Sequence, residues 1–113
     1  MQDIMVFTPA YRRISAAQLQ TRLENGDRPT LVDVRTPPEY FAYHIENTQL
    51  IPIDEFASRC QSELRPDEEI VLICEHGVRS EMAAQYLASV GFENAATVDG
   101  GMAAYRGEVL NGE

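Results

Sequence analysis

The stretch "IVLICEHGVRSEMAAQYLASVG" (70–91) decides how this chain folds. Within "EEIVLIC" (68–74) the apolar residues leave no polar face, which marks a strand covered on both sides, central and parallel in its sheet. In "EMAAQYLASVG" (81–91), Ala83, Tyr86, Leu87 and Val90 share one face of a helix, and Gly91 is placed to stop it. Cys74 therefore stands where a buried strand ends and a helix is about to begin. The residue is either packing material or a nucleophile.

Similar signals alternate outward from this junction. "ISAAQLQTRLENG" (14–26) predicts a helix with Ser15 and Gln18 at capping-box spacing and an Ile14–Leu19 staple. Its stripe is Ala16, Leu19 and Leu23, and Gly26 is placed to end it. "TLVDV" (30–34) is a strand candidate, and "TPPE" (36–39) starts a second helix, with Thr36 as cap, Pro37 in the first turn and Glu39 completing the box. "QLIPI" (49–53) is a short strand ended by Pro52. Asp54 is then expected to cap "EFASRCQSEL", where Phe56, Cys60 and Leu64 recur every four residues. "NAATV" (94–98) is the last strand candidate, and "DGGMAAYRG" (99–107) a turn into a short helix. The pattern predicts an α/β fold with a mainly parallel sheet in one domain over residues 1–113. In such sheets ligands bind beyond the carboxyl ends of the strands, where Cys74 falls.

Bulk properties narrow the functions. The chain has 113 residues, 44% of them apolar, enough for a real core and too many for a disordered tail. A net charge of −9 argues against nucleic acid as a partner. No apolar run approaches the ~20 residues that span a bilayer, so no membrane partner is expected. "MQDIMVFTPAYRR" lacks a basic start followed by an apolar block, so no secretory leader is expected and the expected compartment is the cytoplasm. Cys60 and Cys74 are too far apart for a CxxC pair, and two histidines, His44 and His76, give no zinc spacing.

The loop "CEHGVRS" (74–80) favours a reactive thiolate. A loop that curls back can aim its backbone N–H groups at one point, and a following helix adds the positive end of its dipole. Gly77 permits the positive φ of such a curl, Ser80 is placed to cap the helix, and Arg79 brings a permanent positive charge to the rim. Arg79 has the alternative reading of a structural ion-pair residue, with Asp33 as partner. Glu75 opposes the thiolate: at roughly 6 Å and an effective dielectric of about 20, the penalty is about 3 kcal/mol before solvent screening.

Taken together, these segments resemble a single-domain rhodanese, a sulfurtransferase of the rhodanese-like superfamily. "LVDVRTPPEYFAYHIENTQLIPI" (31–53) is similar to the family's Asp-x-Arg, Glu-Tyr, Gly-His-Ile and Ile-Pro stretch. "IVLICEHGVRS" (70–80) resembles its active-site strand and loop, and "VDGGMAAY" (98–105) its Gly-Gly ending with a terminal aromatic. The likeness covers about residues 14–107. It implies a five-stranded parallel sheet flanked by helices, Cys74 as the persulfide-forming nucleophile, and the N–H groups of Glu75, His76, Gly77, Val78 and Arg79 cradling the transferred sulfur. It also implies that Asp33 and Arg35 lie near the site. Two departures stand out. Tyr43-His44-Ile45-Glu46-Asn47-Thr48 replaces Gly-His-Ile-Pro-Gly-Ala, so that turn is built differently, and the closing tryptophan is Tyr105.

Loop length separates sulfur from phosphorus chemistry. Tyrosine-type and rhodanese-fold phosphatases use Cys-x5-Arg, whereas four residues separate Cys74 from Arg79. The tighter ring suits one sulfur atom, which disfavours a phosphatase or arsenate reductase. The expected function is transfer of a sulfane sulfur from thiosulfate, polysulfide or a low-molecular-weight persulfide to a thiol or cyanide, without metal or organic cofactor. An acceptor protein fits the same chemistry, and a sulfur-carrying binding module with little turnover is the rival reading. Glu75 is expected to disfavour dianionic thiosulfate. His76 is expected to face solvent, His44 to be structural, Cys60 to pack its helix face, and Gly100 and Gly101 to serve turn geometry.

Overall fold

Strand β4 (Ile70–Ile73) is buried along its whole length and lies third of five in the order β1-β5-β4-β2-β3. The computed structural model describes residues 10–112, so the stretch 1–9, on which most of the leader reading rests, lies outside the described residues. The other strands are β1 (Arg12–Ser15), β2 (Thr30–Asp33), β3 (Gln49–Leu50) and β5 (Ala95–Asp99), and every pairing is parallel. Alternation along β4 splits the core in two. Ile70 and Leu72 face α3 (Ile53–Glu63) and α4 (Val78–Ser89), packing on Phe56, Cys60, Ala83 and Leu87. Val71 and Ile73 face α1 (Ala16–Glu24) and α5 (Gly101–Ala104), packing on Leu19, Val98 and Met102. A strand buried on both faces has no polar positions to spare, as its sequence requires.

The expected capping boxes at Ser15–Gln18 and Thr36–Glu39 both form, the second opening α2 (Pro37–Ala42). Asn25 caps α1, and Gly26 follows at φ +88°. Three expectations change. Strand β1 lies in residues read as the approach to and start of the first helix; Ile14 belongs to the strand, and the helix begins at Ala16. Asp54 does not cap α3, which starts at Ile53 after Pro52 without a side-chain cap, leaving Asp54 inside its first turn. Nor does Ser80 cap α4: Gly77, at φ +102°, is the N-cap, so Val78, Arg79 and Ser80 form the first turn. The turn at 43–48 keeps a left-handed residue, Asn47 at φ +64°, where the resembled pattern has its second glycine. Asn tolerates that region better than other residues with a Cβ. Among the described residues no helix is long and apolar enough to cross a membrane.

Candidate active site

Cys74 follows β4 directly, and its sulfur is nearly covered, at 1% exposure for the residue. Gly77 N–H donates to Cys74 Sγ at 3.1 Å and Ser80 N–H at 3.3 Å. The thiol lies 3.6 Å from Ser80 Oγ, which in turn contacts Thr97 Oγ1 at 2.7 Å and Gly77 O at 3.2 Å. The loop thus curls as expected, and its positive-φ residue lets the chain turn back over the sulfur. Val78 and Arg79, in the first turn of α4, add N–H groups that no helical carbonyl can satisfy. Of the five residues expected to cradle sulfur, only Gly77 donates to the resting sulfur; the second donor, Ser80, lies one residue beyond them. His76 and Val78 are exposed on the outer side of the loop.

Two carbonyls of the loop are held by backbone. Met102 N–H donates to Cys74 O at 2.8 Å and Ala103 N–H to Glu75 O at 2.9 Å, so the first turn of α5 carries the loop carbonyls. Gly101, at φ +58°, makes this approach possible, because a Cβ there would lie 2.3 Å from Cys74 O. Its role is close approach as well as turn geometry.

Glu75 and Arg79 have partners that sequence reasoning did not find. Glu75 accepts from Arg35 Nη1 at 3.1 Å and from Tyr43 OH at 2.8 Å. Arg35, wholly buried, also donates to both carboxylate oxygens of Asp33 and to Tyr43 O at 2.6 Å. Burial disfavours the Arg35 cation, yet Asp33 and Glu75 outweigh it and hold its pKa above the usual value. Burial and the bond to Glu75 raise the Tyr43 hydroxyl likewise. Arg35, shared with Asp33, and the Tyr43 hydroxyl thus offset part of the Glu75 charge beside Cys74, which weakens its expected penalty on the thiolate.

Arg79 donates from Nη1 to Glu39 Oε1 at 2.8 Å and from Nη2 to Oε2 at 3.0 Å. Its ion-pair partner is Glu39, whereas Asp33 pairs with Arg35. This pairing pushes the Glu39 carboxyl down to about 2 and the Arg79 guanidinium up, with the nearby sulfur of Cys74 adding to the latter. A guanidinium in the first turn of a helix faces the positive end of the dipole, so a fixed carboxylate there relieves repulsion. Glu39, Tyr43 and Thr97 are the residues the sequence did not bring to the site, and Ser80 is there as a donor to the sulfur instead of as a cap. Only Glu39 carried a signal, a Glu in the resembled Glu-Tyr pair, and its local capping role absorbed that signal.

His44 is buried, with Nδ1 at 2.8 Å from Tyr40 O and its ring stacked on Tyr40 at 3.8 Å, a structural arrangement. Cys60 is wholly buried on α3, and desolvation raises its thiol. An open cleft of about 290 Å³ between Leu23, Arg28, Asn47 and Tyr105 contains none of the loop residues.

A cysteine loop at the carboxyl end of the central parallel strand, with N–H groups turned onto the sulfur, defines a cysteine-centred α/β domain with a sulfur cradle. The family model described as Rhodanese-like domain matches residues 15–108, and the chain belongs to that family. Thiosulfate sulfurtransferase GlpE of Pseudoalteromonas translucida is 34% identical over 96 residues, covering 85% of this chain and 90% of that protein. The putative sulfur carrier protein YrkF of Bacillus subtilis is 34% identical over 95 residues, 84% of this chain but 51% of that protein. The crystal structure of a rhodanese-like domain protein from Staphylococcus aureus superposes with TM-score 0.81 at 31% identity, over 90% of this chain and 99% of that one.

Proposed function

We propose that this chain is a sulfurtransferase in which Cys74 takes a sulfane sulfur from a donor and passes it to a thiophilic acceptor. The observation that carries the reading is the convergence of Gly77 and Ser80 N–H on Cys74 Sγ, with two further first-turn donors beside them. In the first half-reaction the Cys74 thiolate attacks the outer sulfur of thiosulfate. The S–S bond breaks toward sulfite, and Cys74 keeps the sulfur as a persulfide anion. Fixed N–H groups stabilise that anion without reorganising. In the second half, an acceptor thiolate or cyanide attacks the outer sulfur, leaving as persulfide or thiocyanate and restoring the Cys74 thiolate. Polysulfides and low-molecular-weight persulfides can enter by the same attack.

The relative named as a thiosulfate sulfurtransferase supports turnover of a free donor, and the one named as a putative sulfur carrier supports delivery to a protein acceptor. Against phosphoryl transfer stand the four-residue spacing and the engagement of Arg79 by Glu39. Intact mass spectrometry after incubation with thiosulfate, then polysulfide, tests the proposal. The expected result is an adduct of about 32 Da that cyanide removes and Cys74→Ser never forms. Absence of the adduct with every donor would overturn it.

A further inference from the structure

Both arginines that the fold brings to the cysteine loop are already engaged. Arg35 lies between Asp33 and Glu75, and Arg79 is held by both oxygens of Glu39. Three carboxylates thus face two guanidiniums, leaving one net negative charge around a site that must receive a sulfur donor. Arg106, beyond the end of α5, is turned onto the carbonyls of Ala103 and Tyr105.

Glu39 is itself held from behind. Its Oε1 accepts from Thr36 N–H at 2.9 Å and from Thr36 Oγ1 at 3.1 Å, so the carboxylate that grips Arg79 also closes the capping box of α2. It cannot swing away without opening the start of that helix. A donor that needs the Arg79 cation must therefore break a two-point ion pair whose carboxylate is held in place, and one that does not need it enters unhindered.

We propose that Glu39 is a specificity-determining residue: by clamping Arg79 it withholds that cation from the donor and favours sulfane sulfur compounds carrying one negative charge or none over dianionic thiosulfate. The proposal rests on the persulfide reading of Cys74 and names the donor class for it. Both donor types react by the same balanced step. Thiosulfate plus the Cys74 thiolate gives Cys74 persulfide anion and sulfite; the methanethiosulfonate anion, CH3SO2S−, gives the same persulfide and methanesulfinate. The two donors differ by one unit of charge and little in shape.

The test is the ratio of kcat/KM for thiosulfate to that for methanethiosulfonate, with cyanide as acceptor, in wild type, Glu39→Gln and Glu39→Gln/Arg79→Gln. Gln serves at the third position of a capping box, so Glu39→Gln keeps α2 capped while removing the charge. Glu39→Gln is expected to raise the ratio about fivefold, the preference that one extra unit charge at roughly 6 Å gives in a half-solvated medium. Removing Arg79 as well should erase the gain. Glu39→Ala, a second variant that frees Arg79 without relying on Gln, should move the ratio the same way. An unchanged ratio in folded Glu39 variants, or a gain that survives loss of Arg79, overturns the proposal and leaves the persulfide reading standing. Failure of every protein to form the 32 Da adduct with either donor overturns both.

Discussion

Gly101→Ala tests whether the backbone of α5 supports the cysteine loop. An added Cβ would lie 2.3 Å from Cys74 O and 2.6 Å from Glu75 C and O, all backbone atoms that cannot rotate aside. Relieving that overlap requires roughly 1 Å of separation, which removes the Met102–Cys74 and Ala103–Glu75 bonds. Each such bond is worth about 1 kcal/mol net, and a non-glycine residue in the left-handed region costs a further ~1–2 kcal/mol. The expected loss is about 3–4 kcal/mol, read as the shift of the urea midpoint multiplied by the m-value. Gly26→Ala is the control, because φ there is +88° but nothing lies within 4 Å of the added carbon. It should cost only ~1–2 kcal/mol. The difference isolates the close approach, and sulfur loading of Gly101→Ala should fall as the loop moves. Equal losses in the two variants, with loading intact, would refute the reasoning.

Other outcomes follow from the ion pairs. Arg35→Met leaves Asp33 buried without its guanidinium, and a loss of about 3–5 kcal/mol is expected in denaturant titration; a loss below ~1 kcal/mol would mean the pair is not a structural anchor. Folding holds the Glu39 carboxyl at about 2, below its usual value of 4.5. Its contribution is therefore full above about pH 4.5 and lost as pH falls toward about 2. Because the pair is partly exposed, at most ~1 kcal/mol is at stake. Urea midpoints between pH 5 and 2 should fall less steeply in Glu39→Gln than in wild type, and parallel profiles would contradict the shift.

Legibility followed the range of the interactions. The buried run 70–73, the capping boxes at Ser15 and Thr36 and the junction at Cys74 are encoded within a few residues, and sequence reading found them. Strand β1 escaped because it is an edge strand whose Arg12 and Arg13 are exposed and satisfied by Glu69, Asn94, Asp99 and Glu81, so no apolar alternation marks it. The partners of Arg79 and Glu75 escaped because they lie far away in the chain: Glu39 and Arg35 are each 40 positions off and Tyr43 is 32. A local motif says that a charge is present, and only the fold says whether it is free. Ser80 was misread for a related reason. Its side chain suits a cap, but the positive φ of Gly77 places the helix start three residues earlier, turning Ser80 N–H onto the sulfur instead.

Three of the groups that grip the cysteine loop, Arg35, Glu39 and Tyr43, and Asp33, which holds Arg35, come from one stretch of eleven residues, 33–43. That stretch ends well before Cys74 in the chain, and the N–H groups turned onto the sulfur come from Gly77 and Ser80 rather than from it. The two parts of the site are thus separable units of inheritance. On the proposed reading of Cys74, exchanging 33–43 between related chains is expected to change which donors it accepts while leaving the sequence of the loop 74–80 unchanged.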